Sequence, residues 1–451
     1  MTYISTPQGS RTTVISDNSD VGFLGTVSIQ PQGCKLNQAD SEVLARRFTQ
    51  AGYKVVSSGE SADIRVINTC TVTHVADAKA RQAIRLAHRR DADTFVVATG
   101  CYAERSPVDV STVEGVGLVV GNREKDRLVE LVLAARGDQL VACAIGEEPP
   151  PTGTPDYGRT RAILKIQEGC DQVCAYCIVP KVRGRERSIP PAVLLSQVRQ
   201  RVEEGYKEVV LTGTQLGSYG FDIPKASLMG LVDLLLKESG AERIRVSSLQ
   251  PQEISPDLLD LWSEPRLCPH FHMPLQSGCD DVLKRMRRRY STAQYADAAH
   301  MVRARVPGVT ITTDVIVGFP GEGEDQFRDS LRFADAMGFA SMHVFPYSVR
   351  QGTSAAHMGP KVGEEAKRGW MDEMLDLARR QAAACRQGAI GTTRQVLWER
   401  SHLREGRSVH LGLTDNYLKV STEEDMPLIN RITPTRLVAE KGETLPRRVS
   451  E

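Results

Sequence analysis

Short apolar runs alternate with amphipathic segments from about residue 25 to residue 137. Each apolar run has three or four residues, and each amphipathic segment repeats its apolar positions at helical spacing. Strands that alternate with helices are typical of a small parallel sheet covered by helices. The predicted strands are 26–29, 64–67, 95–98 and 118–120, and the predicted helices are 38–51, 75–89 and 125–135.

A second series of alternating segments occupies about residues 156–386. A β/α repeat of this size predicts a parallel barrel, complete or partial. Active sites in such barrels lie on the loops that follow the strands. The predicted strands are 162–167, 208–211, 244–247, 270–274, 310–317 and 342–345, and the predicted helices are 191–204, 228–238, 282–289, 293–305 and 325–337.

Beyond residue 387 the pattern changes to short runs that alternate with period two. These runs predict strands at 395–399, 407–413, 417–421 and 435–439. Such alternation is typical of a small OB-like β-barrel, and small barrels of this kind often bind nucleic acid. The alternative is a structural appendage that caps the central barrel.

Composition places the 451-residue chain among soluble globular proteins, with 41% hydrophobic and 25% charged residues. No stretch approaches the roughly 20 apolar residues of a membrane-crossing helix. No secretory signal is predicted either, because residues 1–20 lack an apolar core. We expect a disordered leader at 1–24, a linker rich in Pro and Gly at 138–155, and domains at 25–137, 156–386 and 387–451 of a cytoplasmic protein.

Three cysteines follow the first strand of the central domain at positions i, i+4 and i+7: Cys170, Cys174 and Cys177, hereafter the central triad. In a reducing cytosol such cysteines are thiols or metal ligands. Four thiolates complete a 4Fe–4S cluster, whereas three leave one iron open to bind a small molecule. A zinc site would need a fourth ligand nearby, and a redox pair of Cys174 and Cys177 would leave Cys170 unexplained.

Three more cysteines each follow a predicted strand of the first domain: Cys34, Cys70 and Cys101, hereafter the N-terminal triad. Ligands of an open parallel sheet bind beyond the carboxyl ends of its strands, so three loops can bring these thiols to one edge. Any one of them alone would usually be a small buried apolar residue. Three cysteines at three strand ends predict a second iron–sulfur cluster.

The CxxxCxxC spacing of the central triad resembles that of the radical S-adenosylmethionine (SAM) enzymes residue for residue. The resemblance implies a six-stranded partial (β/α)6 barrel. It also implies that SAM chelates the open iron and is split to a 5′-deoxyadenosyl radical. Candidate SAM contacts lie in loops after the strands, at Gly213, Thr214, Ser247, Gln276, Gly318 and Pro320.

The N-terminal triad lies in three motifs: Gly-Cys-Lys-Leu-Asn, Asn-Thr-Cys-Thr-Val-Thr and Thr-Gly-Cys-Tyr. They resemble the motifs of the methylthiotransferase family, whose first domain is flavodoxin-like, and residues 414–417 resemble its RNA-binding TRAM domain. The likeness covers nearly the whole chain past residue 25. It implies two 4Fe–4S clusters, the N-terminal triad holding the one that carries the sulfur to be donated.

Within this family the sequence is most similar to the branch acting on N6-threonylcarbamoyladenosine-37 of tRNA. The likeness rests on residues 211–220, 245–251 and 344–348, whereas Gln215 and Gln250 depart from the His and Glu common in that branch. It implies that one SAM methylates the cluster-held sulfur and that the radical from a second removes hydrogen from C2 of adenine. Alternatives are N6-isopentenyladenosine-37 of tRNA, a ribosomal-protein aspartate, or a non-enzymatic two-cluster electron carrier.

The resemblance implies several partners: an ANN-decoding tRNA bound at its anticodon loop, an electron donor such as flavodoxin or ferredoxin, and a sulfur donor, with no membrane. A net charge of +1 gives no overall attraction for nucleic acid. Local basic stretches at 181–187 and 284–290 are therefore the candidate RNA contacts, with a solvated helix face as the alternative.

Overall fold

The computed structural model describes residues 23–137 and 160–439. The predicted linker, nearly all of the predicted leader, and Cys143 lie outside these residues. Within the described ranges, no helix combines the length and the apolar character needed to cross a bilayer.

The N-terminal domain is built on five parallel strands: β1 (Gly25–Pro31), β2 (Tyr53–Val56), β3 (Ile64–Thr69), β4 (Phe95–Gly100) and β5 (Val116–Val120). Their order in the sheet is β2-β1-β3-β4-β5, which is the flavodoxin-like order. The four predicted strands are all present. The short edge strand β2 was missed because only one of its four residues is fully buried, which leaves little apolar signal.

Helices cover both faces of this sheet: α1 (Lys35–Gln50), α2 (His74–Arg90), α3 (Cys101–Arg105), α4 (Pro107–Ser111) and α5 (Leu128–Arg136), with a 3-10 segment at Asn122–Arg127. The start of α2 is fixed by Thr73, whose side chain accepts the backbone N–H of Ala76 at 3.1 Å. The inward face of α2 carries Ala80, Ile84 and Ala87, at helical spacing. The end of α5 is set by Gly137, which takes the left-handed φ of 74°.

The central domain contains β6 (Arg161–Lys165), β7 (Gln167–Glu168), β8 (Arg187–Ser188), β9 (Glu208–Thr212), β10 (Arg243–Val246), β11 (His270–His272), β12 (Thr310–Val317) and β13 (Ser341–Pro346). Two parallel sheets, β10-β9-β6 and β11-β12-β13, are joined by parallel bridges from Ile244 to Leu267 and from Ser248 to His272. The six strands therefore form an open parallel barrel. The antiparallel pair β7 and β8 brackets the loop of the central triad.

The helices of this domain are α6 (Val179–Arg183), α7 (Pro191–Glu203), α8 (Leu228–Glu238), α9 (Pro256–Asp260), α10 (Asp280–Arg285), α11 (Thr292–Arg305), α12 (Glu324–Met337) and α13 (Glu364–Ala389). The prediction of a helix to residue 289 was wrong, because α10 ends at Arg285. Arg287 takes a left-handed φ of 58°, which breaks the helix. The Met286 carbonyl instead accepts the backbone N–H of Ala175, at 2.9 Å.

The 26-residue helix α13 was not predicted, although its buried positions include Trp370, Met374 and Leu377, at helical spacing. The indole of Trp370 stacks on the Phe327 ring, with centroids 4.9 Å apart. The helix continues to Ala389, past the predicted domain boundary at residue 386.

The C-terminal part is an antiparallel sheet of β14 (Thr393–Arg404), β15 (Arg407–Thr414), β16 (Lys419–Glu423) and β17 (Ile432–Arg436), in the order β16-β15-β14-β17. The first three strands match the predicted ones, whereas β17 begins three residues before the predicted strand 435–439 and ends at Arg436. The ladder between β14 and β15 shifts register between Trp398 and Arg400, a β-bulge that bends the longer strand.

The loop after β15 closes the amino-terminal end of the central barrel. The Tyr417 ring stacks on His270, with centroids 4.2 Å apart, and Arg245 donates to the Asp415 carbonyl at 3.0 Å. Thr310, the first residue of β12, donates to the carbonyl of Asn416. The C-terminal sheet therefore caps the barrel at the end opposite the loops that follow the strands.

Candidate active site between two cysteine triads

The loops that carry the N-terminal triad follow β1, β3 and β4, which are neighbours in the sheet. The first two loops approach closely, since a Cβ on Gly33, whose φ is 82°, would lie 2.8 Å from the Cys70 Sγ. Cys70 and Cys101 are buried and Cys34 is exposed. The loops of Cys70 and Cys101 also touch, since a Cβ on Gly100, directly before Cys101, would clash with the carbonyl oxygen of Thr69, directly before Cys70. These three side chains therefore meet at one edge of the domain.

Buried amides fix the loops of this triad. The Asn37 side chain donates to the carbonyls of Gln32 at 2.8 Å and Thr69 at 3.0 Å, which precede Cys34 and Cys70. The Thr69 hydroxyl donates to the Thr99 carbonyl at 2.5 Å, close to Cys101. Since each buried hydrogen bond resists separation of its loops, the triad is held together without help from its own thiols.

The central triad lies in the loop between β7 and β8. The backbone N–H of Cys170 donates to the Gly184 carbonyl at 3.1 Å, and that of Cys177 donates to the Cys174 carbonyl at 3.1 Å. A guanidinium N–H of Arg288 lies 3.4 Å from the Cys174 Sγ. The loop is therefore folded back on itself, with a cation against one of its sulfurs.

Helix α6, which begins two residues after Cys177, lies between the two triads. Its residue Val182 packs with Ile178 against the side chain of Cys101. The Asn122 side chain donates to the Val182 carbonyl at 2.7 Å and lies 3.6 Å from the Cys101 Sγ. The structure thus brings the six predicted cysteines together as two neighbouring groups.

The donor sets suit iron–sulfur ligation, because each group offers thiols with a guanidinium nearby. Burial raises the pKa of Cys70 and Cys177 to about 12 and that of Cys170 to about 11, so these are neutral thiols without metal. Soft sulfur donors favour iron–sulfur clusters over hard cations such as Mg²⁺. Nearby positive charge favours the thiolate form that such clusters need.

The loop of Gly213 and Thr214 is held by a residue that the sequence analysis missed. The Gln167 side-chain oxygen accepts the backbone N–H groups of Thr214 at 3.0 Å and Gln215 at 2.9 Å. Its amide donates to the Gly169 carbonyl at 2.9 Å, directly before Cys170. Gln167 is fully buried and thus ties this loop to the central triad. The sequence gives only a weak signal for this role, because a glutamine at the end of a strand does not by itself show that its side chain is buried.

The side chains of Thr214 and Ser247 each place a buried hydroxyl that has no hydrogen-bond partner among the described residues. A buried polar atom without a partner costs roughly 1–3 kcal/mol, so native proteins rarely leave one unless a ligand satisfies it. Both residues follow strands of the barrel, on the side of the central triad. Two orphaned hydroxyls at that end fit a polar cofactor such as SAM.

The remaining candidate SAM contacts are Gln276, Gly318 and Pro320. Gln276 has a left-handed φ of 66°, and its backbone bonds to β12 through Asp314 at 2.8 Å and Ile316 at 2.8 Å. Gly318 has a φ of 78°, and a Cβ there would lie 2.7 Å from the Lys367 side chain, so a turn and a close approach both require glycine. Pro320 is buried in the same turn.

We expect Gln167→Leu to raise the KM for SAM by about tenfold to a hundredfold. Leucine keeps the volume but leaves two N–H groups and one carbonyl unsatisfied, at a cost of about 1–3 kcal/mol each. SAM cleavage kinetics at varied SAM concentration measure the effect. Gln387→Leu, at an exposed position of α13, is the matched surface control, and an unchanged KM in Gln167→Leu would disprove the assigned role.

The two departures from the branch pattern, Gln215 and Gln250, are in direct contact. The Gln250 amide donates to the Gln215 side chain, which in turn donates to Glu253. Arg288 donates to the Gln250 oxygen at 2.8 Å and reaches Cys174 with its other nitrogen. Burial raises the pKa of Glu253 to about 7. The two glutamines therefore form one network beside the central triad.

Inside the barrel, His272 and His343 lie on either side of Asp314, at 3.2 and 3.1 Å. Burial would raise the pKa of Asp314, but hydrogen bonds from both histidines hold it well below its usual range. The Thr312 hydroxyl lies 3.0 Å from both the His270 and His272 rings. One assignment of protons satisfies the chain: His270 donates to Thr312, Thr312 donates to His272, and His272 and His343 each donate to Asp314.

The two basic stretches are each divided between solvent and interior. In 181–187, Lys181, Arg185 and Arg187 are exposed and Arg183 is buried. In 284–290 the exposed residues are Lys284, Arg287 and Arg289, whereas Arg285 and Arg288 point inward. Each stretch was predicted to be a single basic surface, so the arginines that point inward were not anticipated. Only the exposed residues are available to RNA phosphates.

Comparisons with known proteins agree with this architecture. Residues 26–121 match the uncharacterized protein family UPF0004, and residues 164–334 match the radical SAM superfamily. The chain is 35% identical over 426 residues to the threonylcarbamoyladenosine tRNA methylthiotransferase MtaB of Bacillus subtilis, covering 92% of this chain and 94% of the relative.

A second relative carries a different name. The chain is 33% identical over 431 residues to the tRNA-2-methylthio-N(6)-dimethylallyladenosine synthase of Syntrophotalea carbinolica, covering 92% and 98% of the two chains. Among solved structures, the radical SAM methyltransferase TsrM from Kitasatospora setae shares the fold, with a TM-score of 0.52 at 14% identity over 71% of each chain.

An open parallel barrel whose first loop carries a CxxxCxxC triad defines a radical SAM enzyme. With the matched N-terminal domain and relatives above 30% identity over nearly the full length, the chain belongs to the radical SAM methylthiotransferase family. It uses SAM and two 4Fe–4S clusters.

Proposed function

We propose that this protein is the tRNA methylthiotransferase that converts N6-threonylcarbamoyladenosine-37 to its 2-methylthio derivative. The observation that carries the proposal is the pair of cysteine triads on either side of α6. A transfer of sulfur to an unactivated C–H bond needs a radical source and a sulfur source side by side. The 35% identity to MtaB over nearly the whole chain supports the substrate.

In this proposal Cys170, Cys174 and Cys177 hold one 4Fe–4S cluster, and Cys34, Cys70 and Cys101 hold the other. When bound, these groups supply electron transfer to SAM and a sulfur atom for the product. Thr214 and Ser247 bind SAM with their buried hydroxyls, and Gln167 orients the loop of Thr214. Gln276, Gly318 and Pro320 shape the turns around it.

The proposal assigns the remaining parts of the chain to binding and shielding. The cap at Tyr417 and the docked N-terminal domain exclude water from the barrel, which a radical reaction requires. The exposed Lys181, Arg185 and Arg187 contact the anticodon loop of ANN-decoding tRNAs. The C-terminal sheet, proposed to be an OB-like TRAM domain, binds a part of the same tRNA outside the loop that enters the site. A cytoplasmic electron donor such as flavodoxin or ferredoxin and a sulfur donor complete the system.

The deciding experiment is anaerobic reconstitution with SAM, a reductant and sulfide, followed by assay on three anticodon stem-loops. These carry N6-threonylcarbamoyladenosine, N6-isopentenyladenosine or unmodified adenosine at position 37. We expect a 2-methylthio product, seen as a mass increase in the digested nucleosides, with the first stem-loop alone. Product from the isopentenyl substrate, or modification of a ribosomal-protein aspartate instead, would contradict the substrate assignment.

A further inference from the structure

One short segment, residues 182–184 at the end of α6, touches the supports of both triads. It belongs to the barrel, yet its central residue, Arg183, is buried against the N-terminal domain with a side-chain exposure of 3%. The exposed neighbours Lys181 and Arg185 make this inward arginine stand out in an otherwise solvent-facing basic stretch.

On one side Arg183 reaches the N-terminal triad through α1. Its guanidinium donates to the Asn37 side-chain oxygen at 2.5 Å and to Asp40 at 3.1 Å. Asn37 is the residue whose amide ties the carbonyls before Cys34 and Cys70. Arg183 therefore fixes the orientation of the amide that holds two of the three ligand loops.

The same segment reaches the central triad on its other side. Arg183 donates to Glu168 at 2.7 Å, two residues before Cys170. The carbonyl of Gly184 accepts the Cys170 backbone N–H at 3.1 Å. Val182, the residue before Arg183, packs on the Cys101 side chain. Three consecutive residues thus connect the ligand loops of both triads.

The charges around Arg183 do not balance. Asp40, with a side-chain exposure of 1%, accepts from Lys125 at 3.0 Å, Lys165 at 2.7 Å and Arg183 at 3.1 Å. The only other carboxylate that the described residues place in this network is Glu168. Lys125, Lys165 and Arg183, each with a side-chain exposure of 22% or less, face these two anions, and the exposed Arg187 adds a fourth cation 3.8 Å from Glu168. A buried surplus of positive charge is costly unless another anion lies close.

The N-terminal triad lies beside this network. Val182, next to Arg183, packs on the Cys101 side chain, and Asn37, which Arg183 contacts, donates to the carbonyls before Cys34 and Cys70. Burial alone would lower the pKa of Arg183, but the neighbouring acidic groups, among them Asp40 and Glu168, raise it. An iron–sulfur centre ligated by thiolates would carry the negative charge that this network lacks.

We propose that Arg183 is a positioning residue that holds the N-terminal centre in a fixed place relative to the central one and stabilises its negative charge. The inference rests on the ligand sets of the proposed function. Arg183 then has two roles. Its planar guanidinium group fixes the position of the N-terminal centre, and its positive charge raises the reduction potential of that centre.

The test of charge uses the full chain with Cys170, Cys174 and Cys177 changed to Ala, so that only the N-terminal centre binds iron. An EPR-monitored redox titration compares Arg183→Gln, Arg183→Lys and the control Arg199→Gln, which removes an exposed charge on α7. We expect the potential to fall in Arg183→Gln, because loss of a cation disfavours the more negative reduced state. Arg183→Lys and Arg199→Gln should remain near the parent, and an unshifted potential in Arg183→Gln would overturn the proposal.

The test of geometry uses the enzyme with all six cysteines and measures methylthio product per 5′-deoxyadenosine formed. Lysine keeps the charge but lacks the planar fork by which one guanidinium nitrogen contacts Asp40 and Glu168 and the other contacts Asn37. We expect the ratio to fall about tenfold to a hundredfold in both Arg183→Lys and Arg183→Gln, since a small misplacement of reacting groups has that effect. An unchanged ratio in Arg183→Lys, or an equal fall in the control Arg199→Gln, an exposed arginine on α7 that pairs with Glu238, would refute the positioning role.

The two proposals fail in distinguishable ways. If the triple-alanine protein binds no iron, the ligand sets of the proposed function are wrong, and this inference falls with them. If it binds iron and its potential shifts in Arg183→Gln, while the parent enzyme modifies another substrate, the positioning role stands and only the tRNA substrate was wrong.

Discussion

Replacing Cys70 with serine is expected to abolish methylthio transfer while SAM cleavage to 5′-deoxyadenosine continues. The hydroxyl is a poor ligand for iron, so the N-terminal centre should be lost and the central one kept. Anaerobically reconstituted protein should then bind about four irons instead of about eight. Cys174→Ser should show the reverse pattern, with no SAM cleavage at all. Iron analysis and quantification of 5′-deoxyadenosine measure both.

The matched control is Cys385→Ser on α13. Cys385 is a half-buried thiol outside both triads, and its replacement should leave the iron content and product yield unchanged. Methylthiolated product from Cys70→Ser at the wild-type rate would show that the N-terminal triad is not the sulfur site.

The second large effect is expected at the amino-terminal end of the barrel, where Glu208→Gln should lower the free energy of unfolding by about 3–5 kcal/mol. Glu208 is fully buried and accepts from Arg245 at 2.7 Å and from Arg243 at 2.7 Å. Both arginines are also buried, at 4% exposure or less. Glutamine keeps the shape but leaves two buried cations uncompensated, and breaking a buried network from one side is costly.

Denaturant unfolding of the two proteins, followed by circular dichroism, measures this loss. Glu242→Gln is the control, because Glu242 pairs with Lys207 on the surface with a side-chain exposure of 51%, where an ion pair contributes about 0–1 kcal/mol. A change below about 1 kcal/mol in Glu208→Gln would contradict the argument from burial.

The stability that the Glu208 carboxylate contributes depends on pH over a definite range. Burial would raise the pKa of Glu208, but the charges of Arg245 and Arg243 outweigh it and lower the pKa to about 2, from the ordinary value of 4.5. A depressed pKa contributes stability above the unfolded value and loses it as the pH falls through the folded one. Wild-type protein should therefore lose its advantage over Glu208→Gln between about pH 4.5 and 2.

Much of the fold could be predicted from local sequence patterns, because the periodicity of apolar residues over a few positions distinguishes strands from helices. Predicted strands such as 64–67 and 310–317 have counterparts in β3 and β12. The errors have local causes as well. The chain breaks at Arg287 because of a left-handed backbone that no apolar pattern encodes. In α13 the apolar positions are diluted by charged residues and alanines, so its periodicity was overlooked.

The sequence by itself determined that the central triad shares one loop, since Cys170, Cys174 and Cys177 are neighbours along the chain, and their spacing predicts a cluster-binding loop. For Cys34, Cys70 and Cys101 it determined only their places at strand ends. The tertiary structure decided their convergence, because β1, β3 and β4 are adjacent only through the strand order of the sheet. It also decided that Arg183 faces inward, because burial depends on the domain packed against it, and no spacing along the chain encodes that partner.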